Sequence, residues 1–298
     1  MTETVIVTGG RGRSGRWICD HLASEGYHVV CVDLDHPGWE VPVRERVEFK
    51  AVDVTDGAEV RDLVSEIAPD AVVHWAAIPA PERHAGTRVF DTNVSATYNV
   101  LDAAGRAGAD VVWASSESAY GLAFAEETPL PAYLPMDEAH PMAPEDPYGT
   151  SKVAGEEIAK MVVRRDGVDV ASIRPSWIQY PGEYNCLDVV EGDIDGGAGN
   201  CWSYVDVRDV TTIVAAALEA DLDGHEAFHV AAADNYVGRP TADLVEAFWG
   251  ELPAECELER DQSALSTAKA QGLLEWEPAH SWREASEETI PEPSLLDE

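Results

Sequence analysis

Lysine is nearly missing from this 298-residue chain, which carries only Lys50, Lys152, Lys160 and Lys269. Lys and Arg together number 20 against 56 Asp and Glu, a formal charge of −36. Nothing is available to build the basic stripe that a nucleic-acid binder needs. Long hydrophobic runs are missing too, for no stretch nears the ~18 uninterrupted apolar residues of a membrane helix. Met1 leads straight into an apolar strand with no charged leader region, so a cytoplasmic protein is expected. The five cysteines are odd in number and form no C-x-x-C pair, so no metal site is expected. Cys19 and Cys31 fall in apolar-periodic stretches and read as buried, reduced thiols.

The acids are dispersed through the chain rather than gathered in a tail. Such self-repulsion destabilises a fold unless salt screens it. With lysine depleted as well, a halophilic cytoplasm is expected over an ordinary acidic one. An apolar share of 45% is enough for a real core.

Strand-like segments at Thr4–Thr8, His28–Asp33, Val47–Asp53, Ala71–Ala77 and Val111–Ser116 alternate with helical patterns near 13–25, 56–68, 87–106 and 148–165. Val170–Arg174 and Ala227–Ala231 read as two more strands, with a helix from about Val207 to Glu219. This alternation predicts an α/β fold, a Rossmann-type doubly wound parallel sheet with a small C-terminal substrate lobe. The expected division gives residues 1–174 to the dinucleotide-binding part, with 205–233 returning to the sheet. Residues 175–204 and 234–298 are left for the lobe. Residues 122–147 read as an ordered loop, and 286–298 as a loose tail.

The first strand ends in Thr8-Gly9-Gly10-Arg11-Gly12-Arg13-Ser14-Gly15, and a helix follows. Glycines in that context permit a tight turn and let backbone N–H groups approach a pyrophosphate at the helix N-terminus. Gly9, Gly12, Arg13, Ser14 and Gly15 are therefore candidate cofactor contacts. Asp33 closes the second strand 18 residues after Gly15, where a carboxylate accepts from adenosine ribose hydroxyls. Its charge favours NAD and opposes the 2′-phosphate of NADP, although Arg11 and Arg13 keep NADP open. Asp53-Val54, after the third strand, could grip the adenine edge. For Asp53, a place beside a helix N-cap at Thr55 is an equal alternative.

Tyr148 and Lys152 stand four apart, on one face of the predicted helix. An ammonium beside a phenol favours phenolate, so Tyr148 could take a hydroxyl proton as hydride leaves the same carbon. Ser115 and Ser116 follow the fifth strand, where a hydroxyl could bond the reacting oxygen.

Together these pieces resemble the extended short-chain dehydrogenase/reductase family, the NAD-dependent epimerases and dehydratases. Further matching pieces are His74-Trp75-Ala76-Ala77, Asn93 in "TNVSATYNVLDAA", "SSESAYG" at 115–121, "PYGTSK" at 147–152 and "YVDVRDV" at 204–210. The resemblance spans essentially the whole chain. It implies an enzyme with Ser116, Tyr148 and Lys152 as its catalytic trio, and Lys152 also on the nicotinamide ribose. Ala76, Ala77 and Asn93 fall on the cofactor side, Asn93 also supporting the active-site geometry.

The chain departs from the nucleotide-sugar pattern R-x-x-N-x-Y-G-P, since Trp177 stands where that pattern has asparagine. No Lys or Arg lies between Arg174 and Arg208, whereas Glu183, Asp188, Glu191, Asp193 and Asp195 do. A sugar diphosphate or a uronate wants cations, and a neutral polyol wants acceptors and an aromatic face. "WEPAHSW" near the C-terminus and the compact lobe resemble the sugar-dehydrogenase branch. The expectation is oxidation of a free aldose at C1 to its lactone, with Ser116, Glu117, Tyr148 and Trp177 as substrate contacts and Tyr184 and Asn185 as further candidates. The alternatives are an epimerase or dehydratase with tightly bound NAD, or a uronate dehydrogenase; a non-catalytic nucleotide sensor would lack the Tyr/Lys pair. The expected partner is a small-molecule sugar, not nucleic acid or a membrane, and a homodimer is the assembly to test.

Overall fold

The computed structural model describes residues 3–38 and 43–296. Its strands and helices run β1 (Thr4–Thr8), α1 (Arg13–Ser24), β2 (His28–Asp33), β3 (Val47–Ala51), α2 (Gly57–Ile67), β4 (Ala71–His74), α3 (Gly86–Ala107) and β5 (Asp110–Ala114). After a loop come α4 (Pro147–Asp166), β6 (Val170–Pro175), β7 (Ile178–Gln179), α5 (Cys186–Glu191), β8 (Val205–Asp206), α6 (Val207–Glu219) and β9 (His225–Val230). Three short helices close the chain: α7 (Thr241–Trp249), α8 (Ala268–Leu274) and α9 (Trp282–Ala285). A seven-stranded sheet has the order β3-β2-β1-β4-β5-β6-β9, and every pairing in it is parallel. The first six strands follow the doubly wound order.

The strands read as near-continuous apolar runs because both faces of the sheet are buried. Val5, Val7, Val29 and Cys31 pack on one face with Ile18 and Leu22 of α1 and Ile213 of α6. Ile6, Val30 and Val32, their alternating neighbours, pack on the other with Leu63, Leu101 and Val162 of α2, α3 and α4. A third, aromatic cluster holds Tyr120, Tyr184, Trp202, Tyr204 and Tyr236 with Leu244 and Leu265. It draws on the segments that leave the carboxyl ends of β5, β6 and β9, including 120–136.

Three strands end sooner than their apolar patterns suggest, because local hydrogen bonds turn the backbone out of the sheet. Asp53 Oδ1 accepts from the Thr55 amide at 2.9 Å, turning the chain out after β3. Thr8 Oγ1 accepts from the Trp75 and Ala76 amides at 3.2 and 3.3 Å after β4. After β5, the Ser115 amide folds back on the Trp113 carbonyl at 3.2 Å.

The C-terminal segment is not the loose tail expected. Leu295 is buried in the core, Leu296 bridges Val43, and the Arg44 amide donates to the Leu295 carbonyl. Glu288 and Glu292 pair with Arg208 and with Arg13 and Arg16. These contacts reach across the chain, so local composition carries no sign of them. Residues 297 and 298 lie outside the described residues.

Candidate active site

The glycine segment running from the end of β1 into α1 leaves no room for side chains at Gly9 and Gly15. A Cβ on Gly15 would sit 2.0 Å from the Gly9 carbonyl oxygen, and one on Gly9 2.7 Å from Ala76 Cα. Gly9 also adopts φ +67°, which glycine tolerates and other residues avoid. Helix α1 starts with no side-chain cap and no acid in its first turn, which leaves the N–H groups of that turn for a phosphate. Asp33 is fixed by the Arg11 amide on Oδ2 (3.1 Å) and the Leu34 amide on Oδ1 (2.9 Å). A carboxylate holds about four lone-pair sites, so acceptor capacity is left for a ribose. Beside it Leu34 is 66% exposed, an apolar surface suited to an adenine and absent from the sequence reading. The residues present therefore fit a dinucleotide.

Other expected cofactor contacts have mixed placements. The Arg13 guanidinium lies 3.7 Å over the Tyr180 ring and pairs with Glu183 and Glu292. Its guanidinium is thus engaged by Tyr180, Glu183 and Glu292. Arg11 is the nearer cation, with Nη1 on the Asp35 carbonyl at 2.6 Å. Ser14 Oγ accepts from Trp75 Nε1 at 2.9 Å, and so ties the loop to the segment holding Ala76 and Ala77. Asn93 is buried. Its amide bonds both backbone groups of Ile78 and reaches Ser151 Oγ at 3.3 Å, bracing that segment against α4. Asp53 is exposed and holds its own turn through Thr55. Helix α2 is capped by Asp56, not Thr55. Val54 packs partly buried on the core.

Tyr148 and Lys152 occupy one face of α4, whose start is set by a residue the motif reading passed over. Asp146 Oδ1 accepts from the amides of Tyr148 and Gly149, both at 2.8 Å, and Pro147 takes the first helical position. Asp-Pro ahead of a helical run is an N-cap signal that could have found it. Lys152 is 4% exposed. Its Nζ donates to the Ala114 carbonyl at 2.7 Å and lies 5.3 Å from the Tyr148 ring centroid.

The electrostatics differ from the simple ammonium–phenolate expectation. Burial pushes Tyr148 up to about 12, opposed by its contact with the Ser116 hydroxyl and reinforced by the charges of Asp146 and Glu117. Burial also brings Lys152 down to about 7. Desolvation outweighs mutual help, so positive charge must come from elsewhere to ionise the phenol.

Ser116 caps the short turn Glu117–Tyr120 by accepting from the Ser118 amide at 3.1 Å. Glu117 is half-buried. Its Oε2 accepts from Ser176 Oγ at 2.7 Å, and desolvation raises it to about 8. When ionised, it raises Tyr148, Cys201 and Tyr236 in turn. Phe124 packs edge-on against Tyr148, 6.2 Å between centroids, and Trp177 against Tyr236 at 6.3 Å. Ser176, Tyr236 and Phe124 join this cluster without having been singled out, because long-range packing alone brings them there.

Two substrate expectations are corrected. Tyr184 belongs to the aromatic cluster, buried and with its hydroxyl on Asp206 Oδ2. Glu183, Asp188, Glu191, Asp193 and Asp195 are all exposed, Glu183 pairing with Arg13 and Asp193 capping its own turn. Periodicity is weak there, and it hid their surface placement. Asn185 is exposed as well.

Comparison with known proteins places the chain among the epimerases and dehydratases. A UDP-glucose 4-epimerase of Mycolicibacterium smegmatis is 28% identical over 315 residues, covering 96% of each chain. A putative UDP-glucose 4-epimerase of Methanocaldococcus jannaschii is 33% identical over 175 residues, 58% of this chain and 55% of that protein. The chain likewise spans about half the length of several other curated relatives. The solved structure of a UDP-galactose 4-epimerase superposes with TM-score 0.68 at 28% identity, covering 95% of this chain and 96% of that one. The sequence profile of the NAD dependent epimerase/dehydratase family matches residues 5–185, more than half of the sequence, and the chain belongs to that family.

Proposed function

We propose that the protein is an NAD-dependent sugar oxidoreductase acting on a neutral aldose, which it oxidises at C1 to the lactone. When bound, NAD supplies the hydride acceptor and a positive charge that offsets the burial of the phenol. Gly9, Gly12 and Gly15, with the first turn of α1, would hold its phosphates, and Asp33 its adenosine ribose. Ser116 donates to the reacting oxygen and orients it. Tyr148, as phenolate, accepts the hydroxyl proton, with the Lys152 ammonium 5.3 Å from its ring centroid on the same face of α4 to favour the phenolate.

The observation that carries the substrate class is Glu117. A carboxyl group raised to about 8 is protonated at neutral pH, so it can donate one hydrogen bond and accept others, as a hydroxyl-bearing ligand requires. No Lys or Arg occurs from 175 to 207 to balance an anionic substrate.

A second reading rests on the near full-length similarity to a UDP-glucose 4-epimerase: a sugar-nucleotide epimerase that retains its cofactor. Free aldoses, uronates and UDP-sugars assayed with NAD and NADP at molar KCl separate the two. Net reduced cofactor with a free aldose supports the dehydrogenase. Interconversion of UDP-sugars without net reduced cofactor supports the epimerase.

A further inference from the structure

Behind the active site, a buried ion pair grips both ends of the segment that carries Ser116. Arg174, near the end of β6, and Glu156, on α4, are 3% and 1% exposed. Arg174 Nε and Nη2 donate to Glu156 Oε1 and Oε2 at 2.8 and 2.7 Å. Oε1 also accepts from Ser115 Oγ at 2.8 Å. The remaining nitrogen, Nη1, donates to Tyr120 Oη at 2.6 Å and to the Glu138 carbonyl at 2.9 Å. Ser115 and Tyr120 flank residues 116–119. One guanidinium thus holds the far end of the turn directly and the near end through Glu156.

The network is closed at its other side. Burial lowers His229 to about 3 and keeps it neutral. Its Nδ1 faces the Ser266 carbonyl at 3.0 Å, so Nδ1 carries the proton and Nε2 is an acceptor. Tyr120 therefore donates to His229 Nε2 and accepts from Arg174. A fully satisfied buried network of this kind is stiff, whereas a half-satisfied one is costly.

Glu156 also shares a helix face with the reacting groups, since Tyr148, Lys152 and Glu156 are spaced by four along α4. The ion pair consequently connects the helix bearing Tyr148 to the turn bearing Ser116. We propose that Arg174, Glu156 and Tyr120 are positioning residues that set the Ser116 hydroxyl against the Tyr148 phenol. The proposal rests on the reading of Ser116 and Tyr148 as the acting pair. Contact with Ser116 favours the phenolate, so a loosened turn makes Tyr148 harder to ionise. Cofactor affinity, set at β1 and β2, is left alone.

Ser115→Ala and Tyr120→Phe test this, because each removes one hydroxyl and leaves the Arg174–Glu156 pair in place. Hydrogen exchange of the 115–121 backbone is measured together with the pH profile of kcat and the KM for NAD, using the free aldose that the unmodified enzyme oxidises fastest. Both variants should exchange faster in 115–121 and not in β1 or α6. Their kcat should fall on the order of tenfold to hundredfold, as a displacement near 1 Å would cause. The ascending, acid-side limb of the profile, where the phenol ionises, should move to higher pH, with KM for NAD unchanged. Unaltered exchange in 115–121 with an unshifted profile would overturn the proposal, even if both variants melt earlier, for the pair would then be structural only. Tyr148→Phe serves as the control. If it stays fully active, the Ser116–Tyr148 reading itself has failed and the proposal falls with it. If it is inactive while the other two behave like the unmodified enzyme, only the positioning role is lost.

Discussion

Asp146 does two separable jobs, and two substitutions should pull them apart. Its carboxylate caps α4 through the amides of Tyr148 and Gly149, and its charge adds to the burial that raises the Tyr148 phenol. Asn is as good a cap as Asp, so Asp146→Asn keeps the capping bonds and removes the charge. Stability should change by no more than a few tenths of a kcal/mol. The phenol should ionise more readily, moving the ascending, acid-side limb of the kcat profile to lower pH. Asp146→Ala removes the charge and the cap together, leaving two amides unpaired at a buried site. An N-cap Asp→Ala change costs ~0.5–2 kcal/mol, and at roughly 2–4 °C per kcal/mol for a chain approaching this size the melting point should drop by a few degrees. Urea denaturation and thermal melts at molar KCl give the stabilities, and initial rates from acid to alkaline pH give the profile. The capping argument is wrong if Asn destabilises as much as Ala. The electrostatic argument is wrong if neither profile moves.

Three other outcomes follow from the same structure. Asp33→Ala should relax the preference for NAD towards NADP, with Arg11 as the nearby cation; preference for NADP in the unmodified protein would refute the ribose assignment. The melting point should climb steeply from low to molar KCl, because the Debye length shrinks from ~10 Å at 0.1 M to ~3 Å at 1 M around a chain of formal charge −36. A flat salt dependence would rule out the high-salt adaptation. His280 gains a partner in Asp209 Oδ1 at 2.8 Å, which raises its pKa. Its contribution to stability is therefore present in full below the ordinary imidazole value of about 6.5 and is lost as pH rises through the raised one. His280→Gln should flatten the fall in melting point across that window, and an identical pH dependence in the variant would remove the pair from the account.

What could be read from residue order alone follows from physics that acts locally. β1 and β2 are buried on both faces, so Val5–Val7 and Val29–Val32 announce themselves as apolar runs. The glycine loop is legible because its geometry excludes side chains, and Tyr148 with Lys152 because helical spacing is regular. What was hidden depends on distant partners. Nothing near Glu292 signals that it pairs with Arg13, and nothing near Leu295 signals its burial. The aromatic cluster absorbed Tyr184, a residue that local composition offers equally to a ligand. The burial shifts of Tyr148 and Lys152 were out of reach for a related reason: spacing reveals that two groups are neighbours and says nothing of the water they lose.

The central claim, that Tyr148 takes the substrate proton in an NAD-dependent oxidation, is tested most directly by comparing unmodified protein with Tyr148→Phe. Both are mixed with NAD and a free aldose at molar KCl, the reduced nicotinamide is followed by its absorbance, and NAD binding is measured separately by calorimetry. The account predicts steady production of reduced cofactor by the unmodified protein. It predicts a rate lower by ~10²–10⁴-fold in the variant, with NAD bound equally well by both. Equal rates in the two proteins would contradict it, and so would a failure of the unmodified protein to bind NAD.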